Sequence, residues 1–149
     1  RQRRNRRYTE LLRRGGLELP GAELVLKQLF GKVIMGVVTG SRRDHFEIIH
    51  ASTDLLRFFD FVLTREDYQE SKPHPDAYLA TMNQQALVGE ECVVIEDSER
   101  GCKAATDAGI RCLAVPNDWS VEGDFSCAYK VLDGIEAVVP EVMRLMEEA

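Results

Sequence analysis

Apolar residues recur at helical spacing from Ala22 to Phe30, where Leu24, Val25, Leu26, Leu29 and Phe30 build one broad face. The turn Leu19-Pro20-Gly21 precedes that helix, and a different pattern follows it. Val33-Ile34-Met35-Gly36-Val37-Val38 is a nearly unbroken apolar run, which predicts a strand buried on both faces. It stops at Thr39-Gly40-Ser41, and helical spacing resumes through Phe46, Ile48 and Ile49. Phe61-Val62-Leu63 is a short strand candidate, and Asp76 to Leu87 predicts a helix. Cys92-Val93-Val94-Ile95 repeats the buried-strand pattern and closes on Glu96-Asp97-Ser98. A helix from Glu99 to Ala108 follows, with Gly109 as its cap. Arg111 to Val115 predicts a further strand, Tyr129 to Leu132 an edge strand, and Ile135 to Met146 a closing helix. Strands alternating with helices predict an α/β fold with a parallel sheet.

Composition narrows this picture. The 149 residues are 44% hydrophobic and 30% charged, which excludes a disordered or fibrous chain and points to one compact domain. No apolar run approaches the roughly 20 residues of a membrane helix, and the opening residues lack the apolar core of a secretory signal. Charge is uneven. Arg1 to Arg14 hold seven arginines against Glu10, whereas the rest of the chain carries twelve basic and 24 acidic residues. An acidic body matches a nucleic-acid backbone poorly, so the arginine-rich opening reads first as a solvated helix face. Nucleic-acid binding through Arg1–Arg14 ranks last among the functions considered. Four cysteines, at 92, 102, 112 and 127, show no CxxC pair and no zinc-like spacing. Cys92 and Cys112 fall in strand-like runs, so buried reduced thiols are expected, which favours the cytoplasm.

In parallel α/β sheets, ligands bind beyond the carboxyl ends of the strands. That rule selects Thr39-Gly40-Ser41, Glu96-Asp97-Ser98 and the loop around Asn117. Ser41-Arg42-Arg43-Asp44 has the form of a capping box, so the free N–H groups at that helix start and the Thr39 hydroxyl form an oxyanion cradle. An ordinary N-cap is the plainer reading. Glu96 and Asp97 are adjacent carboxylates that repel unless a cation sits nearby, and Mg²⁺ is one that suits them. Acids at a helix start also occur without any ligand. In Ser71-Lys72-Pro73-His74-Pro75-Asp76 two prolines stiffen a loop that presents Lys72 as a fixed positive charge, and His74 reads as a surface residue.

The order of these elements carries the resemblance. Strand-Thr-Gly-Ser, then Lys-Pro-x-Pro-Asp, then strand-Glu-Asp-Ser-x-x-Gly resembles the haloacid dehalogenase superfamily, in its phosphatase and phosphomutase branch. Thr39 matches the second motif, Lys72 the third, and Glu96 with Asp97 the fourth. The resemblance implies a Rossmann-like sheet flanked by helices over 19–149, with 1–18 as the end of a helical cap and a linker. It further implies hydrolysis of a small phosphorylated metabolite through an aspartyl-phosphate. Thr39 would hold a phosphate oxygen and Lys72 would offset charge. Asp97, with Glu96, would hold Mg²⁺, and Gly40, Ser41 and Arg42 would contact substrate.

One motif of that family is missing. No Asp-x-Asp occurs in the chain, so the nucleophile and its acid/base partner are expected on a first strand upstream of Arg1. That strand would lie in the middle of the sheet, between the strands ending at Thr39 and Asp97. The chain by itself is therefore expected to be inactive and to need a missing amino-terminal segment or a partner strand. The alternatives are a non-catalytic phosphate- or metal-binding module and a degenerate relative; a phosphomutase is a close variant.

Overall fold

A computed structural model describes residues 20–149. The expected cap and linker at 1–18 and the arginine-rich opening Arg1–Arg14 lie outside the described residues. The chain divides into two compact units, the first ending at Glu66 and the second running from Asp67 to Ala149.

The first unit contains α1 (Ala22–Leu29), β1 (Gly36–Val38), α2 (Arg43–His50), a 3-10 turn at Leu55–Phe58 and β2 (Phe61–Leu63). β1 and β2 pair in parallel, with Gly36 opposite Phe61 and Val38 opposite Leu63, so β1-α2-β2 is one crossover unit. Val25, Leu29, Met35, Phe46, Phe58 and Leu63 are buried. The Phe30 and Phe58 rings meet edge to face at 5.6 Å.

β1 is shorter than the apolar run predicts. The Met35 N–H donates to the Asp60 carboxylate (2.9 Å) and the Asp60 N–H donates to the Met35 carbonyl (2.7 Å). This reciprocal clamp uses up the Met35 backbone, so the ladder begins at Gly36. A Cβ at Gly36 would stand 2.0 Å from the Phe61 ring, and glycine alone lets that ring lie across the strand.

The second unit contains α3 (Asp76–Gln85), β3 (Val93–Glu96), α4 (Glu99–Asp107), β4 (Arg111–Ala114), β5 (Lys130–Val131) and α5 (Val138–Glu147). Its sheet has the order β3-β4-β5, all parallel. Helix α4 ends as anticipated at Gly109. Gly109 adopts φ +80°, its N–H donates to the Thr106 carbonyl, and the Ile110 N–H reaches back to Ala105, closing a Schellman motif. The closing helix starts later than predicted, because Ile135–Ala137 form a 3-10 turn ahead of α5. Inside α5 the buried Glu141 carboxylate binds Lys130 (2.9 Å) and Arg144 (2.5 Å), which hold its pKa below the usual carboxylate value.

The expectation that both apolar strands are buried on two faces needs correction. The strand so buried is instead β4, where Leu113 and Ala114 are fully buried and both edges are paired. β1 and β3 each pair along one edge only among the described residues, and Ile95 in β3 remains 39% exposed. All four cysteines are free. Cys92, expected to be buried, is half-exposed and donates its thiol to the Val88 carbonyl. Among the described residues no helix is long and apolar enough to cross a membrane.

Candidate functional site

In the first unit Thr39, Gly40, Ser41 and Arg42 follow directly from the carboxyl end of β1. The Thr39 N–H extends the ladder to the Leu63 carbonyl (3.0 Å), and Arg65 donates to the Ser41 carbonyl (3.0 Å), so backbone bonds fix this turn against the end of β2. The Thr39 hydroxyl accepts the Ser41 N–H at 3.0 Å.

The anticipated capping box does not form. Helix α2 takes Arg42 as its N-cap, one residue later than Ser41, and no side chain caps it in the usual way. Asp44 instead accepts the His45 N–H and pairs with Arg42 (2.8 Å). The helix start is also less open than a cradle would be, because the Glu66 carboxylate receives the Arg43 N–H (3.1 Å) and the Thr64 hydroxyl (3.0 Å). These bonds, led by the Glu66 backbone N–H, hold the Glu66 pKa below its ordinary value. Arg42, Arg43, Asp44, Glu47 and Glu66 line a cleft of about 410 Å³ there.

In the second unit Lys72, Glu96 and Asp97 come together. Lys72 lies on the proline-bounded loop before α3, and its peptide bond to Pro73 is cis. Its ammonium donates to Glu96 Oε1 at 2.5 Å and to the Tyr78 hydroxyl at 3.0 Å, 4.8 Å from the Tyr78 ring centre. Tyr78 in turn donates to the same Glu96 oxygen at 2.5 Å. The Lys72 side chain is 16% exposed and that of Glu96 only 9%, so the three groups form a nearly dry network. Burial, reinforced by the Glu96 charge, pushes the Tyr78 pKa up, which keeps its hydroxyl a donor. The cation that offsets Glu96 is thus Lys72. Arg100, on the first turn of α4, donates through Nε (3.1 Å) and Nη2 (2.5 Å) to the Lys72 carbonyl.

Gly101 explains the spacing Glu-Asp-Ser-x-x-Gly. Ser98 caps α4 by accepting the Gly101 N–H (3.0 Å), and the Glu96 carboxyl group folds onto that same turn. A Cβ at Gly101 would fall 2.0 Å from the Glu96 carboxyl carbon.

Asp97, the next residue, is exposed. Its Oδ2 accepts the Asn117 side-chain amide at 3.0 Å. That amide is held by its own loop, since Asn117 Oδ1 accepts the N–H groups of Trp119 (2.9 Å) and Ser120 (3.1 Å). With the oxygen so engaged, the nitrogen must face Asp97. Sequence reasoning marks the loop around Asn117 but not this contact. It misses Tyr78 altogether, as a tyrosine on a helix carries no signal of a partner on another strand. Among the described residues no three His, Cys, Asp or Glu side chains cluster as a metal site. Asp97 supplies one exposed hard oxygen ligand, while Glu96 is engaged by Lys72 and Tyr78.

The family model for haloacid dehalogenase-like hydrolases matches residues 3–115. Protein CbbY of Rhodobacter capsulatus is 28% identical over 130 residues, covering 84% of this chain and 57% of that protein. A probable pseudouridine-5'-phosphatase of Drosophila melanogaster is 31% identical over 146 residues, covering 93% and 63% respectively. Among solved structures, a putative beta-phosphoglucomutase from Thermotoga maritima superposes with a TM-score of 0.73 at 28% identity, over 84% of this chain and 61% of that one. The chain therefore spans less than two thirds of the length of these relatives. With strand-end Thr39, loop Lys72 and the Glu96-Asp97 pair in the anticipated order, the chain belongs to the haloacid dehalogenase-like hydrolase family.

Proposed function

We propose that the chain is the α/β core of a Mg²⁺-dependent phosphohydrolase that cleaves the phosphate monoester of a small phosphorylated metabolite, with a sugar phosphate as the leading class. The observation that carries this reading is the Lys72–Glu96–Tyr78 network, whose Glu96 immediately precedes Asp97 at the end of β3. It fixes a cation and a carboxylate at one strand end, where the family's ligands bind. The names of the relatives support the substrate class: one is a pseudouridine-5'-phosphatase, and one solved CbbY structure holds xylulose bisphosphate.

In this reading Lys72 offsets the negative charge of the phosphoryl group, with Glu96 and Tyr78 holding its ammonium in place. Thr39 donates to a phosphate oxygen, and Gly40, Ser41 and Arg42 contact the substrate. The donor chemistry at Asp97 fits one ligand of Mg²⁺, a cation that is held by one or two carboxylates together with water and phosphate oxygens. When bound there, Mg²⁺ supplies charge neutralisation. Glu96, given to the metal by sequence reasoning, serves chiefly to hold Lys72. In this reading the attacking aspartate is not among residues 1–149, which hold no Asp-x-Asp, and turnover requires one from elsewhere.

Phosphate release by the whole protein from a panel of sugar phosphates tests this, with Mg²⁺ and with chelator. Loss of turnover in Asp97→Ala and Lys72→Ala is the expected result, and full activity in either variant overturns the assignment. A second reading, a phosphate-binding module without catalysis, is favoured by the lack of Asp-x-Asp. It predicts phosphate binding with no turnover by the whole protein. Return of the phosphoryl group to a second hydroxyl of the sugar would identify the phosphomutase variant.

A further inference from the structure

We infer that Cys102 and Cys127 form a reversible disulfide when a peroxide reaches the second unit, making this thiol pair a modification site apart from the phosphate chemistry. Their sulfurs lie 3.1 Å apart, so a bond requires an approach of about 1 Å. The two thiols differ in access: Cys127 is exposed, on the segment before β5, whereas Cys102 is fully buried on α4. A peroxide therefore meets Cys127 first, and the partner thiol waits behind it, shielded from water.

The surroundings keep the pair in register. The Thr106 hydroxyl of α4 donates to the Cys127 carbonyl (3.3 Å), and the Asp124 N–H donates to the Glu99 carboxylate (3.1 Å). The segment is thus tied to α4 on both sides of the sulfur contact. Burial raises the Cys102 pKa, so this thiol stays protonated and enters second. Cys112 also neighbours Cys102 but is itself buried, with its pKa pushed up to about 11, and offers an oxidant no accessible sulfur.

The chemistry balances in two steps. The Cys127 thiolate attacks one peroxide oxygen, the O–O bond breaks, and the departing hydroxide takes up a proton to leave water and a Cys127 sulfenic acid. Cys102 then attacks that sulfur. The S–O bond breaks, the S–S bond forms, and the second hydroxide leaves as water with the Cys102 proton. Two electrons pass from the thiols to the peroxide.

The test exposes the whole folded protein to hydrogen peroxide and reads intact mass and disulfide-linked peptides. The expected result is a loss of about 2 Da, reversed by dithiothreitol, with one cross-linked peptide joining Cys102 to Cys127. Cys127→Ser, a change at an exposed residue, abolishes the loss, and Cys112→Ala keeps it. Mass gains in steps of about 16 Da without a cross-link overturn the inference. So does a loss that persists in Cys127→Ser, or a link made through Cys112.

Discussion

Replacing Gly101 by alanine sets a helix preference against an ion-pair network, and the sizes decide the outcome. Gly→Ala inside a helix normally stabilises by about 1 kcal/mol, and by less in the first turn, so about 0.5 kcal/mol is the gain here. Against it, the new Cβ would stand 2.0 to 2.3 Å from the Glu96 carboxyl atoms, which must move. The carboxylate then leaves the Lys72 ammonium and the Tyr78 hydroxyl, both at 2.5 Å. Hydrogen bonds to charged groups contribute about 1.5–3 kcal/mol each, and breaking a buried pair costs about 3–5 kcal/mol. Because the displaced carboxylate recovers some hydration, the loss is taken as about 3 kcal/mol, for a net destabilisation of roughly 2.5 kcal/mol. Urea unfolding followed by circular dichroism, with unchanged denaturant slope, measures this. The decisive control is the same change in a Glu96→Ala background. With no carboxylate to displace, Gly101→Ala becomes neutral or stabilising by about 0.5 kcal/mol, giving a coupling energy near 3 kcal/mol. Equal destabilisation in both backgrounds would refute the reasoning.

Other perturbations test separate parts of the structure. The raised pKa of Tyr78 means that the folded state keeps a proton which the unfolded chain loses above its ordinary value of 10.0. Stability therefore falls with rising pH above about 10, by up to ~1.4 kcal/mol per pH unit, and Tyr78→Phe flattens that limb in unfolding curves taken from pH 8 to 11. Asn117→Ala removes the amide that holds Asp97, and if Asp97 binds Mg²⁺ the half-saturating Mg²⁺ concentration for phosphate release rises by about 10–100-fold. An unchanged requirement would separate Asn117 from the metal. Gly36→Ala drives a methyl into the Phe61 ring and destabilises by about 1–3 kcal/mol, read as a lower urea midpoint.

Periodicity placed most elements within two or three residues, and Phe61–Leu63 came out as predicted. What it could not supply were features made by residues distant in the chain. The apolar run at Val33 gives no hint that Asp60 will clamp Met35 and shorten the strand. Ser-x-x-Asp looked like a cap because local sequence does not disclose Glu66, which reaches the same helix start from beyond β2. At the candidate site, the motif order singled out Thr39, Lys72, Glu96 and Asp97, and the different partners of Glu96 and Asp97 emerged only with the structure. A lysine 24 positions away claimed the first, and an asparagine 20 positions away the second. The glycine in Glu-Asp-Ser-x-x-Gly was visible as a pattern, but its purpose needed the position of the Glu96 carboxyl group.

The grip of Arg100 on the Lys72 carbonyl has a mechanical consequence. Lys72 is fastened at both ends by one stretch of chain: Glu96 takes its ammonium and Arg100 its backbone oxygen. The loop carrying the lysine and the strand end carrying Asp97 therefore share a single mounting. Because residues 96–100 hold Lys72 at both its ammonium and its carbonyl, a movement of that stretch would pull on the lysine at two points.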